Sequence, residues 1–569
     1  MRFGVRRMLA ASVAVAMALP LAVAMTVAMA GPASAAPGDE VLTWGRNQYG
    51  QLGNGTLNAA GEPLAGPVVL PAGTSVTAVS GGYGFSVALL STGEVLTWGY
   101  NDEGQLGDGS FVRSTVPVYV DLPSDTTITA IAAGDDHILA LTATGQVLAW
   151  GYNEWGQLGD GTTADKGVPV AVNLPAGTTV TAISAGAGHS MALTATGEVL
   201  AWGDNDFGQL GDGTATSHSE PALVHVPAGT VVTTIAGSDD HGLALTAAGD
   251  MLAWGYNGSG QLGDGTITSR REPVLVHLPA NMTVTGIAGA SGFQSFALTA
   301  TGALLSWGDN ANGQLGDGTT TTRREPVLVH LPAGTAVTAV ASGDDHTVAL
   351  TAAGEVLSWG YNRYGQVGDG TNTNRAEPVE VQRPGGARVV AIGSGSYHSL
   401  AITLAPETTT ALTAEPARSR TGDPVTFSAA VACNVGVPTG TVTFNVGDQE
   451  IGAAAIEDGV ATLVTDALPE GEHHVVARYA GDDMCPPSNS AAVTVTVTAP
   501  DPGPGPPGPG PGEPTAQPPN GGGTWASDDS LANSGLSDHV RWLAAAAVAA
   551  LAIGGMILVV GRRRHRELP

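Results

Sequence analysis

Five short segments end in a histidine, four of them preceded only by small or acidic residues and the fifth by Gly, Ser and Tyr. They are Gly134-Asp135-Asp136-His137, Gly186-Ala187-Gly188-His189, Ser238-Asp239-Asp240-His241, Gly343-Asp344-Asp345-His346 and Gly395-Ser396-Tyr397-His398. A carboxylate beside an imidazole can ligate a cation or move a proton. Two segments in the same phase, Gly82–Phe85 and Gly292–Ser295, lack the histidine. Catalysis needs one asymmetric constellation, whereas these groups recur almost equally along the chain. The repetition favours a scaffold. The Asp residues are expected to shape turns through side-chain to backbone bonds, and His137, His189, His241, His346 and His398 to be buried donors that orient loops. No catalytic residue and no cofactor is therefore expected. Were a metal bound, it would be Ca²⁺, with Asp135, Asp136, Asp239, Asp240, Asp344 and Asp345 as the candidate ligands. "DNDFGQLGDG" loosely echoes a calcium loop, but the bidentate Glu and its spacing are absent.

The elements that carry these segments repeat. Trp-Gly pairs begin at Trp44, Trp98, Trp150, Trp202, Trp254, Trp307 and Trp359, a period of about 52 residues. Each unit holds four strand-like runs, such as "TVTAISAG", "HSMALTAT", "EVLAWGDN" and "PALVHVP", punctuated by Gly, Asp and Asn. Seven units of four short strands describe an all-β, seven-bladed propeller over residues 36–404. The near-continuous apolar inner runs fit strands covered on both faces, and the Trp offers a large area for contact between blades. The region opens with "EVLTWG" and "GPVVLP", strands three and four of a unit, and ends with "ARVVAIGSG" and "YHSLAITL", strands one and two. The two halves are expected to complete one blade and close the ring. The loops between strands one and two and between strands three and four emerge together. That face should be acidic, with Asp108, Asp160, Asp212, Asp264, Asp317 and Asp369 joining the aspartates named above. His225, His277 and His330, in "VHVP" and "VHLP", are expected at the surface or edge of the outer strands.

The units resemble the regulator of chromosome condensation repeat family, on words such as "GDDHTVALTAAGEVLSWGYNRYGQVGDGT". The likeness covers roughly residues 40–404 and implies a seven-bladed propeller. The founder's activity, guanine-nucleotide exchange on a nuclear GTPase, is not expected to follow from it. Even blade spacing leaves little room for an inserted wedge, and an exported chain would not meet a cytosolic GTPase. No GTPase partner is therefore expected.

Residues 407–498 leave the period and read as about seven alternating strands, an immunoglobulin-like β-sandwich. "PTGTVTFNVGDQEIG" and "HVVARYAGDD" resemble the bacterial immunoglobulin-like repeats of surface proteins. Cys433 and Cys485, the only cysteines, read as one disulfide in an oxidising exterior. Such a domain is expected to act as a spacer. His473 and His474 are neighbours on one strand and point to opposite faces, so they cannot easily converge on a metal.

The ends speak to location. Residues 1–35 have Arg2, Arg6 and Arg7, an apolar run and small residues, the pattern of a signal peptide cut after Ala35, beside Ala36. Residues 499–530 are a Pro/Gly-rich linker; about 25 residues at about 3.1 Å each would reach roughly 75 Å. Leu531-Ala532-Asn533-Ser534-Gly535 resembles an LAxTG-like sortase sorting signal, with Ser534 in place of the usual Thr. Within 531–569, residues 542–561 are apolar and long enough for a transmembrane helix, and "RRRHR" follows. Sortase and peptidoglycan are the implied anchoring partners, after passage through the membrane. The alternative is a retained single-pass membrane protein with its N-terminus outside.

The composition limits the partners. Of 569 residues, 51 are acidic and 22 basic, a formal charge of −29. Nucleic-acid binding is not expected from that balance. The reading is an exported, cell-wall-anchored bacterial protein, not an enzyme, whose propeller binds an extracellular protein or glycan. The rival is an extracellular propeller enzyme, a lyase or hydrolase, with a site at the propeller axis.

Overall fold

The computed structural model describes residues 40–384, 388–404, 406–482 and 485–499. The expected signal peptide with Ala35 and Ala36, nearly all of the linker, the pentapeptide Leu531–Gly535 and the membrane segment lie outside the described residues.

Strands β1 (Glu40–Asn47) and β2 (Asn58–Pro67) form one sheet with β27 (Val389–Gly395) and β28 (His398–Thr403), in the order β2-β1-β28-β27. We call this blade 1. Blades 2 to 7 follow in sequence as β3–β6 (76–119), β7–β10 (128–171), β11–β14 (180–223), β15–β18 (232–275), β19–β22 (284–328) and β23–β26 (337–380), each a four-stranded antiparallel sheet. The ring thus has seven blades. Its first and last strands pair directly, with Val41 opposite Ile402 and Thr43 opposite Leu400. Each sheet ends on an inner first strand and an outer fourth strand, and apart from the ten-residue β2 these edges are five to seven residues long.

Burial follows from this arrangement. In β12 (His189–Thr194) and β13 (Val199–Gly203) every residue is buried, because neighbouring blades cover both faces. In the outer strand β14 (His218–Leu223) none is. Each Trp serves the blade before its own: Trp202 of blade 4 packs with Leu139, Val147, Ala149 and Leu158 of blade 3. Two glycines of the repeated phrase are required by close approach. Gly151 has φ +99°, and a Cβ there would lie 2.4 Å from the Asp136 carbonyl oxygen. Gly159 has φ +69°, and its Cβ would lie 2.6 Å from Nε1 of Trp202.

Residues 408–498 form a sandwich, β29 to β37, with β33 (Gln449–Glu457) pairing with a strand of each sheet. The core joins Val425, Phe427, Val442, Phe444, Val475 and Tyr479, alternating mostly with half-buried or exposed neighbours as strands with one solvated face require. Cys433 and Cys485 are bridged, with Cα atoms 5.9 Å apart. The described residues contain no α-helix.

Candidate interaction face

The repeated phrase works across the seams between blades. Nε1 of Trp202 donates to the main-chain oxygen of Gln157 in the preceding blade at 2.9 Å. The same bond joins Trp44 to Gln366, Trp98 to Gln51, Trp150 to Gln105, Trp254 to Gln209, Trp307 to Gln261 and Trp359 to Gln314. A buried indole N–H needs such a partner.

The histidines sit at the same seams. Nε2 of His137 lies 2.9 Å from Ser190 Oγ in the next blade, and Ser190 gives its one hydroxyl hydrogen to the Gln157 oxygen at 2.7 Å. The imidazole must then donate through Nε2, which sets the tautomer. His241 meets Ser295, His346 meets Ser399 and His398 meets Ser86 in the same way. These residues tie blade to blade rather than orienting their own loops. The equivalent residue of blade 2 is Phe85, and that of blade 6 is Gln294, whose amide donates to Ser342 Oγ and to the Gly343 and Asp344 carbonyls. His189 is the exception. Blade 5 offers Gly242 where the serine would stand, and His189 has no well-formed hydrogen bond, only a weak interaction with the Asp239 backbone. Burial pushes His137, His241, His346 and His398 down to about 3 and His189 to about 4.

The neighbouring aspartates face elsewhere. Asp136, Asp240 and Asp345 accept hydrogen bonds from Gln105, Gln209 and Gln314 of the preceding blades. Asp135, Asp239 and Asp344 are buried. Carboxylate and imidazole, adjacent in sequence, thus serve different partners. Among the described residues no group of three or more His, Cys, Asp or Glu could hold a metal ion.

The expectation of a uniformly acidic face needs revision. Asp160, Asp212, Asp264, Asp317 and Asp369 each cap a turn and each pair with a basic residue: Lys166, His218, Arg270, Arg323 and Arg375. Burial works against these carboxylates, but bonds from the following Thr and from the basic partner hold them below their usual range. The pairing was visible in sequence as a basic residue six positions after the Asp. His225, His277 and His330 are more than half exposed and face Glu272, Glu325 and Glu377 of the next blade.

What the sequence reading missed is aromatic. Eight of the ten tyrosines lie in the loops of this one face, all half-buried. The residue after each Trp-Gly is Arg46, Tyr100, Tyr152, Asp204, Tyr256, Asp309 or Tyr361. Arg46 breaks the series. Its guanidinium lies 5.3 Å from the ring centres of Tyr49 and Tyr83 and 5.5 Å from those of Tyr364 and Tyr397. Three blades, 7, 1 and 2, supply this cage. In the loops between strands three and four of blades 1 and 2, Leu57, Phe111 and Val112 are exposed, at 51%, 52% and 71%.

Comparison with known proteins agrees with this architecture. The protein matches the RCC1-like domain over residues 15–291 and 174–411, and the bacterial Ig-like domain (group 3) over 412–498. It is 32% identical over 344 residues to the ultraviolet-B receptor UVR8 of Arabidopsis thaliana, covering 60% of this chain and 78% of that one. It is 31% identical over 403 residues to the secretion-regulating guanine nucleotide exchange factor of Mus musculus, covering 64% and 84%. The structure of Prp20p from Saccharomyces cerevisiae, described with its binding to Gsp1p and histones, superposes with a TM-score of 0.58 at 23% identity, covering 64% of this chain and 91% of that one. These relatives correct the expectation that no GTPase would be a partner, since one is itself named as an exchange factor. Even blade spacing was a poor ground for that exclusion. The side chains of a propeller's loop face choose its partner, and spacing says nothing about them.

Proposed function

The chain belongs to the RCC1-like domain family, and from that premise we propose that its propeller is a protein-binding module whose contact surface is the loop face of blades 7, 1 and 2. The observation that carries this reading is the Arg46 cage, the point where the ring departs most from repetition. Binding energy at protein interfaces concentrates in Tyr, Trp and Arg. Half-buried rings lose little conformational entropy on docking, and Leu57, Phe111 and Val112 add apolar area at the margin. The seam residues do not compete for this role, because they are consumed in holding blades together.

In this reading the protein is exported and held at the cell surface by its C-terminal segment, with the Ig-like domain as a spacer below the head. The bridged Cys433 and Cys485 support an oxidising compartment. The names of the relatives keep a small GTPase among the partners to be assayed.

The test is a photoreactive residue placed at Val112, and separately at Leu275 on the outer edge of blade 5, in full-length protein made by its own cells. A discrete adduct identified by mass spectrometry from Val112 and absent from Leu275 is expected. Adducts from Leu275 alone would move the surface elsewhere. Sequencing the mature termini of the same material checks export and anchoring.

A further inference from the structure

Arg46 is 8% exposed, and among the described residues no carboxylate pairs with it. That is out of character for this protein. The partly buried cations Lys166, Arg270, Arg323 and Arg375 each rest on an aspartate, and even Arg383, with its side chain 8% exposed, lies 3.6 Å from Glu380. With 51 acidic residues available, a counter-ion for Arg46 would be easy to supply. Its Nε has no acceptor at all. Its Nη2 donates to Oε1 of Gln48 at 2.6 Å, and Gln48 is an exposed, neutral amide. The four tyrosine rings attract the guanidinium through their faces and the Tyr83 hydroxyl adds a polar contact, but all of these partners are neutral and weaker than an ion pair with a carboxylate. A buried guanidinium left without an anion is under-compensated.

We propose that Arg46 is the anchor for a carboxylate carried by the docking partner, entering where the Gln48 amide now sits. The ligand chemistry is a carboxylate flanked by apolar atoms that pack on the tyrosines. An Asp or Glu side chain and a free C-terminal carboxylate share it. The proposal deepens the docking reading by naming the group that the Arg46 cage receives. It also explains why an acidic protein keeps a buried cation on this face without an anion of its own.

The test uses the full-length protein labelled with ¹⁵N, reading the arginine Nε–Hε signals, with that of Arg46 assigned by its loss in Arg46→Lys. The probes are N-acetyl-glutamate N-methylamide, its glutamine analogue, and acetyl-Ala-Ala with a free or amidated C-terminus, all at constant ionic strength. A saturable shift of the Arg46 signal is expected with a carboxylate probe and not with its neutral twin. Whichever carboxylate saturates at lower concentration identifies a side chain or a C-terminus as the source. Gln48→Ala removes the competing acceptor and should tighten the probe about two- to fivefold. Gln48→Glu supplies the anion from within. It should raise the melting temperature and abolish the probe's shift. Equal shifts from the neutral twins, or no shift together with an unchanged melting temperature in Gln48→Glu, would overturn the proposal. A Val112 adduct with silent carboxylate probes would leave the docking surface standing and remove only the anchor.

Discussion

Nε1 of Trp202 and the main-chain oxygen of Gln157 lie 2.9 Å apart across the seam between blades 3 and 4. The indole is fully buried, so this hydrogen bond and the apolar contact around it are made in one place. The same pair occurs at all seven seams and explains why the Trp-Gly phrase travels with the Gln-Leu-Gly phrase, which reads Gln366-Val367-Gly368 in blade 7. Trp202→Phe keeps most of the packing and leaves the Gln157 carbonyl with Ser190 Oγ as its remaining donor. It should cost about 0.5–1.5 kcal/mol in denaturant melts. Trp202→Ala also opens a cavity, and about 3–5 kcal/mol is expected.

The histidines divide by whether the next blade offers an acceptor. His137→Phe takes from Ser190 Oγ its incoming hydrogen bond, while the bond from Ser190 to Gln157 stays, and should cost about 0.5–1.5 kcal/mol. His189→Phe loses no well-formed hydrogen bond and should cost less than His137→Phe. Equal losses at the two positions in thermal or chemical melts would contradict the assigned seam bonds.

The same histidines set the acid limit. Their folded pKa values lie at about 3 to 4, below the ordinary 6.5, because burial disfavours the charged form. Folding therefore favours neutral imidazole. That stability is fully present above pH 6.5 and is lost as pH falls toward 3, at about 1.4 kcal/mol per pH unit for each residue. The carboxylates paired with Lys166, Arg270, Arg323 and Arg375 act in a lower window, with their contribution present above 3.8 and lost below it. Melting temperatures between pH 7 and 4.5 should fall steadily in the parent and less steeply in His189→Phe.

Asp136, Asp240 and Asp345 are held by glutamine amides of neighbouring blades. We expect calcium or a chelator to leave the melting temperature of the full-length protein unchanged. A rise of several degrees with calcium, reversed by chelator, would show that these loops rearrange around the ion.

How far the sequence carried the reading depended on where each partner lies. The Trp-Gly period exposed the blade count, and the split first and last units exposed the closure that β1 and β28 make. Trp202's acceptor was hidden, because a main-chain oxygen has no residue type to recognise. The seam role of His137 was hidden for a related reason: Ser190 stands 53 residues away in a different unit. Asp160 was read as free charge although Lys166 followed at a spacing repeated in four later units. The Arg46 cage gathers rings from both ends of the repeat region, and only closure of the ring brings Tyr364 and Tyr397 beside Tyr49 and Tyr83. The one local signal was an arginine after Trp44-Gly45, where other units have Tyr or Asp.

The loop face of blades 7, 1 and 2 is the proposed place where a partner binds. The most direct measurement is the affinity of the partner cross-linked from Val112 for Tyr83→Ser and Tyr364→Ser, with Tyr119→Ser on the outer edge of blade 2 as control. A loss of at least about tenfold for each of the first two, with the control and all melting temperatures unchanged, is predicted. Unchanged affinity for both cage variants would contradict it.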